Sequence, residues 1–139
     1  MSIVPSDRKT WPHGDKVWEV ARAIAIAEGY GIDDAVPTKL NNPGDISDGI
    51  SMYGSEFHSG SRVTSFPTPA VGWEWLYKKL QNIREGRSRV YSNEMTWIQM
   101  AELWSGDAEN WCNNVTRELD VDIHDRLRDF WGGKIERGG

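Results

Sequence analysis

Apolar residues recur at three- and four-residue spacing in five stretches of this chain, separated by a middle region where that period is lost. The first stretch follows Asp15, a good N-cap, and places Val17, Val20, Ala21 and Ile24 on one stripe, with Gly29 as a C-terminal cap. The second opens on Thr68 with Pro69 at the first helical position and runs through Trp73, Leu76, Tyr77, Leu80 and Ile83 to near Gly86. Thr96 and Gln99 form a capping-box signature ahead of Trp97, Met100, Ala101 and Trp104, and Gly106 closes that element. Asp107 opens a fourth helix with Ala108, Trp111, Cys112, Val115 and Leu119 on one side, and Asp122 a fifth carrying Ile123, Leu127 and Phe130.

The middle region reads differently. Residues 29–45, GYGIDDAVPTKLNNPGD, are rich in turn formers and predict a structured loop. From 45 to 66, short β-prone pieces (GDIS, ISMY, RVTSF) alternate with Gly and Ser, which predicts a small antiparallel hairpin or three-strand sheet. Such a sheet cannot stand alone, so it should lean on the helices and leave a cleft. The expected fold is α+β, mostly α, with about five helices and a small antiparallel β-lobe flanking that cleft.

One position breaks the apolar pattern. Glu28 falls on the stripe one turn after Ile24, at the C-terminal end of the first helix. The negative end of the helix dipole and apolar burial would both disfavour its charge and raise its pKa. A rise from about 4.3 to roughly 6 would cost about 2.3 kcal/mol of stability at neutral pH, which calls for a reason. General-acid chemistry supplies one, because a glycosidic oxygen is a poor leaving group until protonated. The competing reading is that Glu28 turns to solvent or pairs with a Lys or Arg; the pattern leaves both open.

Composition narrows the setting. A chain of 139 residues, 38% hydrophobic and 27% charged, forms one domain with a real core and has no apolar run long enough to span a membrane. The core is expected over 13–131, with 132–139 (GGKIERGG) a loose tail. The start MSIVPSDRKTW has no secretory signal of the usual kind. The single Cys112 cannot form an internal disulfide and reads as a buried small hydrophobe. A net charge of −5 with scattered Lys and Arg excludes an ordinary nucleic-acid face and would also repel an anionic polymer. Eight tryptophans exceed what space-filling requires, so some should stay partly exposed in a binding groove.

Other chemistries find no support. His13, His58 and His124 lack metal-ligand spacing, and no phosphate-binding Gly-rich loop or GxSxG is present, so no metal or cofactor is expected. Asp33, Asp34, Asp120 and Asp122 read as turn or capping residues. In the turn NNPGDIS, Pro43 holds Asn42 extended and Gly44 permits a close approach, making a rigid corner. Asn41 and Asn42 could orient the acid or a substrate group from that corner, or satisfy their own backbone.

Taken in order, AIAIAEGYG, PTKLNNPGDIS, SFPTPAVGWEWLYKKL, TWIQMAELW and NWCNNVTRELDV resemble lysozyme-like peptidoglycan-active domains of phages and bacteria, over roughly 17–121. The resemblance implies cleavage of β-1,4-linked amino-sugar strands, with Glu28 in the catalytic position and Asn41, Asn42, Gly44 and Asp45 along the groove. Trp104 and Trp111, where one helix ends and the next begins, are the candidate groove aromatics. The implied partner is peptidoglycan or a related amino-sugar glycan, met by a monomer that neither binds nucleic acid nor inserts in membrane. It would be made in the cytoplasm and reach the wall through a holin, a phage tail or a secretion system. The chain departs from many relatives in having Gly29 and Tyr30 after the acid instead of an ESG or ESxF sequence, and in lacking a GLMQ motif. Lysozyme, glucosaminidase and lytic transglycosylase therefore all stay open. A hydrolase needs a second carboxylate, about 5 Å from the acid as nucleophile or about 6.5–9.5 Å away to activate water; Asp45 is the first candidate and Asp48 the other. In a transglycosylase Asp45 would be a turn residue. Outside this enzyme class stand a non-catalytic glycan-binding or phage structural module and, within it, a chitin-directed glycosidase.

Overall fold

The computed structural model describes residues 2–133. Within them the chain is α+β and about half helical, with seven α-helices and one two-stranded antiparallel sheet. The five expected helices are α1 (Lys16–Glu28), α4 (Pro69–Arg84), α5 (Trp97–Trp104), α6 (Ala108–Leu119) and α7 (Leu127–Trp131). Two one-turn helices, α2 (Val36–Lys39) and α3 (Ile50–Tyr53), add to them.

Helix α1 forms as its pattern dictates. The Asp15 carboxylate accepts from the Trp18 amide at 2.9 Å, and Gly29 ends the helix in the left-handed region at φ 80°. Its buried stripe packs against α4, α6 and α7, and α6 packs in turn on α5. Thr68 caps α4, and the reciprocal Thr96–Gln99 capping box starts α5, which stops at Trp104 just ahead of Gly106. Close contact of α4 with the preceding turn depends on Gly72, where a Cβ would lie 1.8 Å from the Asn41 carbonyl oxygen. Cys112 is buried and its thiol is pushed up to about 11 by burial and, secondarily, by Asp122.

The middle region differs from expectation in detail. The sheet has only β1 (Ser55–His58) and β2 (Ser61–Thr64), joined by a Ser59–Gly60 turn with both residues at positive φ. ISMY is α3, not a strand, because Gly49 and Gly54, at φ 83° and 87°, bracket it and break extended pairing. GDIS is not a strand either: Ile46 exchanges hydrogen bonds with the Asn42 side chain and takes only the Thr64 amide from the sheet.

The last helix begins at Leu127, later than the Asp122 start that the pattern predicts. Asp122 and Asp125 instead close a turn on each other, and the carbonyls of Asp125 and Ile123 accept from the Trp97 and Ile98 amides at the start of α5. Carbonyls turned outward to satisfy another helix cannot continue one of their own. The core also begins before residue 13, since Trp11 is buried against Tyr30 and Trp73, with ring centroids 5.3 and 5.2 Å away. At the other end Gly132 and Gly133 are not loose: the Gly132 carbonyl accepts from Asn93 at 2.8 Å, and a Cβ on Gly133 would meet the Arg84 carbonyl oxygen at 2.4 Å. The rest of the expected tail, 134–139, lies outside the described residues. No helix among the described residues is long and apolar enough to cross a membrane.

Candidate active site

Glu28 is the last residue of α1, largely withdrawn from water but not sealed from it. The Trp111 indole N–H donates to its Oε2 at 2.9 Å, and among the described residues no Lys or Arg forms an ion pair with it. Of the two readings the sequence leaves open, the solvent-turned or cation-paired one is therefore excluded. Burial pushes the carboxyl up to about 8, and the negative charge of Asp45 pushes the same way. The Trp111 and Trp104 indoles oppose the rise without cancelling it. At neutral pH Glu28 is thus predominantly an acid with a proton to give.

Asp45 sits at φ 52° on the turn after the Asn-Pro-Gly corner. Both of its carboxylate oxygens lie 2.9 Å from Nδ1 of His58, the last residue of β1, so the hairpin reaches back and fixes the carboxylate's orientation. Asp48, the other candidate second carboxylate, is instead paired with Lys79 at 2.9 Å. Asp45→Asn is expected to lower the Glu28 midpoint from about 8, because one nearby like charge is lost while the burial remains. A carboxyl-carbon NMR titration of the variant reads this directly, and an unmoved midpoint would remove Asp45 from the site's electrostatics.

The corner holds from the inside. Asn42 is fully buried; its amide donates to the carbonyls of Ile46 and Thr64 at 2.8 and 2.9 Å and accepts from the Ile46 amide at 3.0 Å. Every polar atom of that side chain is engaged with backbone, so Asn42 does not face a substrate. Asn41, at φ 52°, spends its amide on the Phe66 carbonyl at 3.1 Å and likewise ties the turn to the segment after β2. Gly44 is buried against Leu76, where a Cβ would come within 2.7 Å, and its role is that close approach together with the carbonyl it presents to the Trp104 indole at 3.0 Å. The expectation that Asn42 and Gly44 line the groove is corrected: both are buried and shape it from within, whereas Asn41 stays partly exposed, and Asp45, Ile46 and Ser47 form the wall.

The two tryptophans divide their work. Trp111 is only 3% exposed, a core residue whose N–H reaches Glu28, so it does not face the groove as expected. Trp104 stacks on it with centroids 5.7 Å apart and stays partly exposed, in the wall of a cavity of about 150 Å³ shared with Asp45, Ser47, Lys79 and Tyr91. Lys79 Nζ lies 5.3 Å from the Trp104 ring and 5.4 Å from that of Tyr91.

Sequence reasoning missed His58, Lys79 and Tyr91. Tyr91 carried one weak signal, an aromatic in the aperiodic stretch between two helices; His58 and Lys79 carried none, being polar residues on a hairpin and a helix surface. Larger cavities, of about 530 and 420 Å³, lie along the opposite flank of α1, around Arg8, Glu19 and Arg22, away from this chemistry. Among the described residues no group of three His, Cys, Asp or Glu side chains could hold a metal ion. No protein-family profile, curated protein or solved structure matches the chain.

Proposed function

We propose that this protein is a lysozyme-like enzyme that cleaves the β-1,4 glycan strands of peptidoglycan, with Glu28 as general acid. The observation that carries the reading is a carboxyl pushed up to about 8 by burial at a helix end, beside a second carboxylate held by His58. A carboxyl that holds its proton, with a second carboxyl group oriented beside it, is what acid-assisted glycoside cleavage requires. Glu28 donates its proton to the glycosidic oxygen as the bond breaks and positive charge builds on the sugar ring. Asp45 keeps that proton on Glu28 beforehand and, as an oriented carboxylate, can stabilise the developing charge or take the proton from an attacking water. The partly exposed Trp104, against which the apolar face of a sugar ring can stack, walls the same cavity as Asp45. The resemblance of the chain order to lysozyme-like domains supports the same class.

The test is digestion of purified peptidoglycan followed by mass spectrometry of the released fragments. Reducing, hydrated ends assign a hydrolase with water as the nucleophile; anhydro ends assign a transglycosylase, in which the sugar's own hydroxyl attacks and Asp45 acts only through its charge. Release from chitin oligomers but not from cell walls would redirect the activity to chitin. Glycan binding without release from either would leave a binding module in place of an enzyme.

A further inference from the structure

The cavity beside Asp45 has a neighbour. Lys79 and Tyr91 also wall a second cavity of about 240 Å³, bounded further by Asp48, Asn82, Arg87 and Val90, so the two spaces adjoin each other at these two side chains. The charges around them are unequal. Lys79 is matched by Asp48 at 2.9 Å, whereas Arg87 forms no ion pair among the described residues. The Arg87 side chain is not idle in position: its Nε donates to Asn82 Oδ1 at 3.1 Å, which orients the guanidinium, and its terminal nitrogens have no hydrogen-bond partner among the described residues. Ser88 lines the same cavity, and its hydroxyl accepts from the Val90 and Tyr91 amides at 3.2 and 3.0 Å. Val90 at the rim is 63% exposed, and Leu103, in the wall of the first cavity, is 52% exposed.

A pre-oriented guanidinium with two free N–H edges, in a cavity of net positive charge, is suited to a carboxylate taken side-on. The surplus cation stands out on a chain of net charge −5. We infer that this second cavity is a subsite for a carboxylate carried by the glycan, with Arg87 as its ligand, and that it selects acidic amino-sugar strands over neutral ones. The inference rests on the proposed glycan cleavage and names the substrate feature that cleavage would favour. It also answers the charge problem, since local attraction at Arg87 offsets the repulsion expected from the acidic average. In peptidoglycan the carboxylate has two sources, the lactyl group of a muramic sugar without a stem peptide, and the free carboxyls of the stem where one is attached.

The experiment measures binding of the Glu28→Gln protein, with and without Arg87→Gln, to three soluble glycan preparations: strands bearing stem peptides, strands stripped of peptide by an amidase, and stripped strands with their carboxylates chemically amidated. The Glu28→Gln protein is expected to bind at least one charged preparation about 5- to 10-fold more tightly than the amidated one, the scale of one charge-assisted pair, and Arg87→Gln to abolish that preference. Preference for stripped strands assigns the lactyl carboxylate; preference for peptide-bearing strands assigns the stem. Equal binding of all three, or an equal loss on amidated strands from Arg87→Gln, would overturn the inference. Digestion by the unsubstituted protein, run in parallel, separates the two claims: release of fragments with no charge preference defeats the subsite alone, and no release defeats the function on which it rests.

Discussion

Glu28→Gln is expected to abolish glycan release, by about a thousandfold or more, and at the same time to make the protein more stable in alkaline solution. The first effect follows from removing the acid that protonates the leaving oxygen in the proposed mechanism, within the range that general-acid catalysis contributes. The second follows from linkage. In the folded protein the carboxyl titrates near 8, whereas unfolded it titrates near 4.5. Between those values the folded state binds the extra proton, so stability falls as pH rises through this window and levels off above it. At about 1.4 kcal/mol for each pH unit, the buried negative charge costs about 3–5 kcal/mol once fully formed. Gln carries no charge, keeps an oxygen to accept from Trp111, and escapes that loss. Thermal unfolding at pH 5 should differ little between the two proteins, while at pH 9 the variant should melt about 5–15 °C higher. Parallel pH profiles would mean that Glu28 is not held in an unfavourable place.

Asn42→Ala is expected to cost about 2–5 kcal/mol of stability, and to lower the melting temperature by roughly 10 °C or more, through a mechanism unrelated to substrate. The substitution leaves the buried Ile46 amide without its acceptor, deprives two carbonyls of a donor, and opens a void where the amide stood. Asn42→Asp, of nearly the same shape, should be at least as damaging, because it turns an oxygen toward the carbonyls of Ile46 and Thr64 where a donor is needed. Urea denaturation of both variants checks this. A variant that melts normally yet turns over tenfold more slowly would return Asn42 to the substrate side of the corner.

These two residues mark where the sequence was readable. Glu28 stood out because helical period is local: thirteen residues of α1 define a stripe, and one carboxylate on it is an anomaly visible without any tertiary information. The caps at Asp15, Thr68 and Thr96 were legible for the same reason. Asn42 was half legible. Pro43 and Gly44 announced a rigid corner, but the direction of the amide depends on Thr64, twenty-two residues away on a hairpin whose register the sequence did not specify. The His58–Asp45 contact is hidden likewise, since it exists only once the Ser59–Gly60 turn has set the pairing of His58 with Ser61. Four-residue segments such as ISMY are too short for period to separate helix from strand, and there the flanking glycines decided. The place of Trp111 between two helices suggests the groove, but its burial and the direction of its N–H put it in the core.

The central claim is that Glu28 holds its proton at neutral pH, and it is tested most directly by following the Glu28 side-chain carboxyl carbon by NMR from pH 3 to pH 10. The expected midpoint is near 8, with the shift change absent in Glu28→Gln. A midpoint near 4.5, the ordinary value for a glutamate, would contradict it.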